Sequence, residues 1–311
     1  MLKYGRREMA SLIVFPFAGL FITDLLLSGV ALGHTGAAFF YEGEYMLNDL
    51  DIIIRDYPQD FEYLNVYAIG DVHVGAPEFN ERAIKKKIQM IADDPFGTVC
   101  LCGDLGNFGL KNSKTNSYLE TLSPRQQIEY IYELFLPITD KIAACVPGNH
   151  EERITREVGT CPMYDLCVRW DIPEIYRENV AITKYTFGRI PGQKKRNAFF
   201  GITMHGSSRN KHRRFTMCFD NVDFGISGHT HTSEYSPRAR IRINTNYATA
   251  KHVPYKELVV DANLTPGGYG MKKEYEIPAP PELQYLRLSS YREGTPHHTI
   301  HKVIDYHAIQ I

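Results

Sequence analysis

Residues 64–73 read LNVYAIGDVH, and this stretch decides the fold class. Leu64 to Ile69 is a short apolar run that ends at Gly70, which predicts a buried β-strand. Residues 79–91 then carry apolar side chains at helical spacing, and residues 98–102 form a second buried run. Such alternation of strand and helix is typical of an α/β sheet covered by helices.

The same alternation continues through the first half of the chain. Ser123 and Gln126 form a capping box around Pro124, so a helix begins there, and Ile142 to Val146 is a third strand. The second half contains more strands than helices, at residues 180–187, 198–204, 223–227, 238–243, 258–260, 285–288 and 298–309. We therefore expect one α/β sandwich with a mixed sheet in each half of the chain.

The first 45 residues differ in composition from the rest of the chain. Ala10 to Leu32 is strongly apolar, but Pro16 and Asp24 interrupt it, and an Asp near the middle of a membrane span costs about 2.5–3.5 kcal/mol. Three interpretations stay open: a targeting or anchoring segment, a non-native upstream extension, or an apolar helix that packs on the domain. We treat residues 1–45 as a separate segment and residues 46–311 as a single domain.

The bulk composition limits the classes of partner and compartment. A net charge of −1 gives no overall attraction to nucleic acid or acidic membrane, so such a partner needs a local basic patch. The six cysteines form no paired CxxC of the zinc-binding type, and we expect reduced thiols in the core. A cytoplasmic location fits such thiols, and membrane anchoring or export through residues 10–32 is the alternative. The oligomeric state stays open.

Five predicted strands are each followed by residues that can bind a metal. The strand ends read GDVH at 70–73, GDLGN at 103–107, GNHE at 148–151, HG at 205–206 and GHTH at 228–231. Ligand sites in open α/β sheets form outside the carboxyl ends of the strands. We therefore expect one crevice to be lined by Asp71, His73, Asp104, Asn149, His205, His229 and His231.

The types of these residues indicate the class of metal. Carboxylate, imidazole and amide oxygen without thiolate favour Mn, Fe or Zn, and we favour Mn. Seven ligands exceed what one ion with an open position needs, and they suit two ions that share one carboxylate. Two ions about 3.5–4 Å apart clamp the attacking and the leaving oxygen of an in-line displacement.

The five blocks resemble the signature blocks of the calcineurin-like metallophosphoesterases over residues 64–232. The resemblance implies a four-layer α/β/β/α sandwich with two mixed β-sheets. It implies one divalent ion held by Asp71, His73, Asp104 and His231, and a second held by Asp104, Asn149, His205 and His229. His150 would then lie outside the ligand set and protonate the leaving oxygen, a role that suits the titration range of imidazole.

The second block departs from the serine/threonine phosphatases of this superfamily. Those enzymes carry GDxxDRG there and use its arginine to hold phosphate, whereas residues 103–109 read GDLGNFG. The difference counts against a protein phosphatase of that branch and leaves open which group orients His150. The overall pattern is similar to metallophosphoesterases of bacterial and phage genomes.

A basic run follows one of the predicted ligands. Residues 206–214 read GSSRNKHRR and come directly after His205, so the start of the run lies near the predicted metals. Arg209 and Arg213, together with Asn107 of the second block, are the predicted substrate contacts. Such cations suit a nucleotide or a nucleic-acid backbone, and the alternative is an ordinary solvated face.

These observations together predict a metal-dependent hydrolase of phosphate esters. We expect a phosphodiester substrate, attacked in line by a hydroxide that bridges the metals, with His150 as the acid and Asp104 as the shared ligand. The missing arginine and the basic run motivate the diester. The alternatives are a phosphomonoesterase such as a nucleotidase, and a non-catalytic metal-bound scaffold that binds a partner in the crevice.

Overall fold

The computed structural model describes residues 50–311 except 112, 114–116, 191, 208–217, 245, 247, 268–279 and 295–298. The predicted N-terminal segment, residues 1–45, lies outside the described residues. Within the described part of the chain, no helix combines the length and the apolar character needed to cross a membrane.

Eleven strands are described, and we number them in chain order. They are β1 (Ile53–Asp56), β2 (Leu64–Ile69), β3 (Gly97–Leu101), β4 (Ile142–Cys145), β5 (Val180–Phe187), β6 (Asn197–Met204), β7 (Phe224–Ser227), β8 (Glu234–Asn244), β9 (Thr249–Val259), β10 (Glu282–Glu293) and β11 (Thr299–Gln310).

The strands form two mixed sheets. One sheet has five strands in the order β11-β10-β2-β3-β4, and its strands β2, β3 and β4 run parallel. The other has six strands in the order β1-β5-β6-β7-β9-β8, and its strands β6, β7 and β9 run parallel. Two mixed sheets within an α/β chain confirm the predicted fold class.

Four α-helices are described, all of them before β5. They are α1 (Glu81–Asp93), α2 (Pro124–Phe135), α3 (Asn149–Val158) and α4 (Pro162–Arg169). Asn80 caps α1 by accepting a hydrogen bond from the Ala83 amide, and Ser123 with Gln126 forms the predicted capping box of α2. Helix α1 packs against β3 of the five-stranded sheet, so its apolar face covers that sheet.

The two sheets enclose a common apolar core. Tyr57 donates a hydrogen bond of 2.8 Å to Thr98 Oγ1 on β3, and Cys100 Sγ lies 3.1 Å from the Tyr185 hydroxyl on β5. The buried cysteines of the core are Cys100, Cys102, Cys145 and Cys167. Burial raises the pKa of the Cys100 thiol, so it stays protonated, as expected for a core thiol.

The second half of the chain holds longer strands than the sequence pattern predicts. The predicted strand at residues 238–243 is part of β8, and β9 begins nine residues before the predicted run at 258–260. A proline interrupts the strand-like sequence pattern in each of these strands, but the pairing of β8 with β9 continues through both prolines. Pro237 lies on the edge strand of the sheet, and Pro254 lies beyond the four residues of β9 that pair with β7, so neither has to donate on its outer side.

Candidate metal centre

Strand ends from both sheets meet at one place. The predicted ligands follow these ends, with Asp71 and His73 after β2, Asp104 after β3, Asn149 after β4, His205 after β6, and His229 and His231 after β7. His205 Nδ1 lies 2.7 Å from the Cys102 carbonyl oxygen, which joins the end of β6 to the end of β3 across the two sheets. The structure therefore brings the seven predicted ligands into one crevice.

One group of ligand atoms comes from Asp71, His73 and His231. His73 Nε2 lies 3.1 Å from His231 Nε2 and 3.9 Å from Asp71 Oδ1. His231 Nε2 lies 3.4 Å from the same carboxylate oxygen. Atoms about 2.1 Å from one tetrahedral ion lie about 3.4 Å from one another, so this spacing suits a shared cation.

A second group of ligand atoms comes from Asp104, Asn149, His205 and His229. His205 Nε2 lies 3.2 Å from Asp104 Oδ2 and 3.1 Å from Asn149 Oδ1. His229 Nδ1 lies 2.7 Å from Asn149 Oδ1 and 3.2 Å from His205 Nε2. These distances also suit ligands of one ion.

Asp104 lies between the two groups. Its Oδ2 faces His205, and its ligand atoms also lie within 4.8 Å of those of His73 and His150. Its Oδ1 accepts a hydrogen bond of 2.8 Å from the His150 amide. Asp104 therefore occupies the position that the family resemblance gives to the shared carboxylate.

The charges of the histidines agree with a cation site. Burial lowers the pKa of His73 to about 3, so this imidazole is neutral, which is the form that binds a metal. Burial also lowers the pKa of His205, but the Asp104 carboxylate outweighs burial and raises it to about 10. The negative charge of Asp104 that raises the pKa of His205 would equally favour a divalent cation at this place.

Asp71 provides a direct test of whether the residues present fit a metal. Its Oδ2 accepts a hydrogen bond of 2.8 Å from the His229 amide. Its Oδ1 is buried and makes no hydrogen bond of good geometry to a described residue, and His231 Nε2 lies 3.4 Å away. A buried carboxylate oxygen without a donor is costly, and a cation would satisfy it. Together with the imidazole and amide donors, this oxygen fits a divalent ion.

The backbone of the candidate metal centre is strained. The predicted ligands with positive φ are Asp71 (50°), His73 (52°), Asp104 (52°), His229 (73°) and His231 (55°). Each such non-glycine residue costs about 1–2 kcal/mol. Hydrogen bonds between the loops hold this conformation, with the Asp71 amide 3.0 Å from the Gly103 carbonyl and the His73 amide 3.0 Å from the Asp104 carbonyl.

His150 is oriented by the backbone of Asn107. His150 Nδ1 lies 2.5 Å from the Asn107 carbonyl oxygen, an acceptor, so Nδ1 carries the proton in that bond. Its other ring nitrogen, Nε2, lies 3.8 Å from Asp104 Oδ2 and faces the metal ligands. Burial lowers the pKa of His150, and the Asp104 carboxylate opposes this. The orienting group that the sequence left open is therefore a main-chain carbonyl.

The predicted substrate contacts fare differently from the ligands. The Asn107 side chain is buried, and it donates a hydrogen bond of 2.5 Å to Glu120 Oε1. In this conformation the side chain points to Glu120, and only the carbonyl contacts His150. Arg209 and Arg213 lie outside the described residues.

Glu151 is a supporting residue to which the sequence pattern assigned no role. It is buried, and it accepts hydrogen bonds from the backbone amides of Gly148 and Asp104, both at 2.8 Å, and of Gly106 at 3.1 Å. It thereby ties the loop after β3 to the loop after β4. Its place in the GNHE block, directly after a predicted ligand and the predicted acid, could have indicated this role. Gly148 lies so close to Asp104 that a Cβ there would overlap the carboxylate.

Asn263 is a second supporting residue, and no sequence motif pointed to it. It is buried, its backbone amide donates 2.9 Å to the Asp71 carbonyl, and its side-chain amide donates 3.3 Å to the Gly70 carbonyl. Two residues earlier, Asp261 forms a buried ion pair of 3.0 Å with Lys87 of α1. The segment after β9 is thus anchored in the core and holds the Asp71 loop.

Two mixed sheets with aspartate, histidine and asparagine side chains clustered at the strand ends define a metal-binding α/β protein. Residues 64–233 match the calcineurin-like phosphoesterases, and because the match spans more than half of the chain, the protein belongs to this family. It is therefore a metal-dependent hydrolase of phosphate esters, and divalent metal ions are the cofactors that the family implies.

Several solved structures resemble this fold at low identity. Vps29 of Chaetomium thermophilum is 7% identical, with 79% of this chain and 98% of that chain covered and a TM-score of 0.34. The NAD nucleotidase of Haemophilus influenzae is 9% identical, with a TM-score of 0.36. The match covers 80% of this chain and 50% of the nucleotidase, so this chain spans about half of its length. A phosphatase of Mycoplasma pneumoniae is 11% identical, with 78% of this chain and 94% of that chain covered and a TM-score of 0.32. Such similarities carry no information about substrate. A comparison with curated proteins gives no match.

The position of Asp104 between the two ligand groups predicts different effects of two substitutions. Asp104→Asn should lower metal affinity more than about 100-fold, because it removes a charge that both groups share, whereas outer residues usually cost about 10–100-fold. His150→Ala should leave the metal content intact. Inductively coupled plasma mass spectrometry after loading with Mn²⁺ measures both, and equal loss of metal in the two variants would contradict this arrangement.

The contacts of Asn263 predict that it positions a ligand without binding metal itself. Asn263→Ala should weaken metal affinity up to about tenfold, because the Asp71 loop loses the side-chain hydrogen bond to Gly70 and keeps the backbone bond to Asp71. Gln89→Ala, which removes an exposed contact on α1, is the matched control. Isothermal titration with Mn²⁺ gives the affinity, and circular dichroism reports whether the fold is kept. Unchanged affinity in a folded Asn263→Ala variant would show that the Asp71 loop keeps its conformation without the Asn263 side chain.

Proposed function

We propose that the protein hydrolyses phosphodiesters and uses two divalent ions, preferably Mn²⁺, held by the seven predicted ligands. The observation that carries the preference for a diester is the position of Phe108. This residue stands where the protein phosphatases of the superfamily have their phosphate-holding arginine, and its side chain is completely buried. Its ring packs against Gly106, where a Cβ would overlap it.

The loss of this arginine changes the charge that the site can accept. A phosphate monoester carries about −1.5 to −2 charges near pH 7, whereas a diester carries one. A site that replaces a guanidinium with a buried phenyl ring has one positive charge fewer to offer. Such a site favours the singly charged substrate.

The ligand atoms support two ions rather than one. The group of Asp71, His73 and His231 and the group of Asp104, His205 and His229 share no residue, and Asp104 lies close to both. Divalent ions at these groups would neutralise phosphate charge and lower the pKa of water. Because the donors are oxygen and imidazole nitrogen, Mn²⁺, Fe or Zn²⁺ suit them, and the amide oxygen of Asn149 adds weight to Mn²⁺.

The protein's own residues complete the reaction that we propose. The Asn107 carbonyl holds Nδ1 of His150, so that Nε2 is the nitrogen that faces the reacting phosphate. A protonated Nε2 donates to the leaving oxygen, which an alkoxide requires because it is a poor leaving group. Glu151 keeps Asp104 and the start of α3 in register, so the acid and the shared ligand stay at a constant separation.

A comparison of two chromogenic esters tests the preference for a diester. The Mn²⁺-loaded protein should hydrolyse bis-p-nitrophenyl phosphate with a kcat/KM at least about tenfold above that for p-nitrophenyl phosphate, a difference equivalent to about 1.4 kcal/mol. Asp104→Asn, assayed in parallel, should abolish both activities. A preference for the monoester would replace this proposal with a phosphomonoesterase, and no turnover with two metals bound would favour a binding role.

The role of His150 predicts a dependence on the leaving group. His150→Ala should lower kcat about 10²–10⁴-fold for a dinucleoside phosphate, from which an alkyl alcohol has to leave, because general acid catalysis contributes a factor of that size. With p-nitrophenolate as the leaving group the loss should be smaller, since this group departs without a proton. Full activity of the variant on the dinucleoside phosphate would remove His150 from the role of acid.

A further inference from the structure

Helix α3 carries more than a ligand and an acid. Its first two residues are Asn149 and His150, and Arg153 lies one turn further on, on the same face as both. Arg153 Nη1 lies 3.4 Å from His150 Nδ1, so the guanidinium is beside the proposed acid. The side chain is half-buried at the rim of the candidate metal centre.

Within the described part of the protein, carboxylates compensate the charge of Arg153 only at a distance. His150 Nδ1 already donates to the Asn107 carbonyl, so it offers no lone pair to the guanidinium. Asp104, Glu151 and, more weakly, Glu120 act on Arg153 electrostatically, but the oxygens of Glu151 accept from backbone amides and those of Glu120 accept from Asn107 Nδ2 and Gln127 Nε2. No described carboxylate forms an ion pair with Arg153.

Arg156, one turn further along α3, shows the contrast. It pairs with Glu152 at 2.7 Å, and its side chain is 77% exposed, as expected of an ordinary surface cation. Arg153 instead lies half-buried against the acid and without such a pair. Guanidinium groups bind phosphate through two parallel hydrogen bonds, so a phosphate group is the ligand that Arg153 best fits.

The position beside His150 indicates which phosphate this is. If His150 donates to the leaving oxygen, groups that flank His150 meet the leaving alcohol and not the far side of the scissile phosphate. This step rests on the function proposed above. The guanidinium of Arg153 therefore lies on the side of His150 that a negatively charged group of the leaving alcohol would occupy.

We propose that Arg153 is a specificity-determining residue that binds a second phosphate carried by the leaving alcohol. The substrate class is then a phosphodiester whose leaving sugar is itself phosphorylated, as in a nucleotide or in the next link of a polynucleotide. Arg153 takes no part in metal binding. It provides a positive charge on the side of the leaving group, whereas the second block has the buried Phe108 in place of the phosphatase arginine.

A binding measurement tests this without turnover. The full chain loaded with Mn²⁺ is titrated calorimetrically with thymidine 3′,5′-bisphosphate and with the 3′- and 5′-monophosphates. The wild-type protein should prefer the bisphosphate at least about tenfold, and Arg153→Gln should reduce that preference about 10–100-fold, the usual size for a charged hydrogen bond. Arg153→Lys should retain part of it, and the matched control Arg156→Gln should retain all of it. An unchanged preference in Arg153→Gln, or no preference in the wild type, would overturn the proposal.

Turnover separates this inference from the proposed function. The dinucleotides TpT, pTpT and TpTp are compared by kcat/KM, and one of the phosphorylated forms should exceed TpT in a manner that depends on Arg153. If the wild type hydrolyses none of them while the calorimetric preference depends on Arg153, the proposed diester hydrolysis fails and the phosphate contact stands. If TpT is hydrolysed and the preference ignores Arg153, only the contact fails. Tighter Arg153-dependent binding of a four-residue oligothymidylate than of the bisphosphate would identify the polynucleotide as the source.

Discussion

Two buried carboxylates at neighbouring strand ends are the constraint on which the rest of the site depends. The exposed fractions of Asp71 and Asp104 are 0% and 2%. Burial and the nearby Asp104 raise the pKa of Asp71, but His231 and His205 outweigh them and hold it below its ordinary value. Two buried negative charges require positive charge around them. The histidines, the orphaned Asp71 oxygen and the fit to divalent ions all follow from that requirement.

The loops that carry these carboxylates are held in one arrangement before any substrate arrives. Five ligands have left-handed backbone conformations, which only a well-supported loop can keep. Glu151 supports the loops after β3 and β4, and Asn263 supports the loop after β2. The strain in the backbone of the ligands is therefore offset by residues that are not among the predicted metal ligands.

The sequence predicted the parts of the molecule that depend on local order. Apolar runs followed by glycine and a ligand gave the strands of the first half and the positions of the seven ligands, because strand ends place their residues at one edge. Contacts between distant segments could not be read in this way. Lys87 lies on the apolar face of α1 only because Asp261 meets it, and Asn263 supports Asp71 from 192 positions away in the chain.

Prolines obscured the second half for a related reason. Pro237 and Pro254 would argue against central strands, yet Pro237 lies on the edge strand β8 and Pro254 lies outside the four residues of β9 that pair with β7. Strand order is a property of the whole fold and is not visible in a window of sequence. The role of Asn107 was hidden similarly, since its carbonyl and not its side chain orients His150.

Helix α3 has a thermodynamic consequence for the protein as a whole. One short rigid element carries the ligand Asn149, the residue His150 and the cation Arg153. Any shift that an ion imposes on Asn149 moves the other two side chains with it, so the free energies of ion binding and of substrate binding are coupled. Such coupling is reciprocal: to the extent that the ion improves the fit of the substrate, the substrate tightens the hold on the ion. Cellular metal supply and substrate supply then act on this protein as effectors of each other.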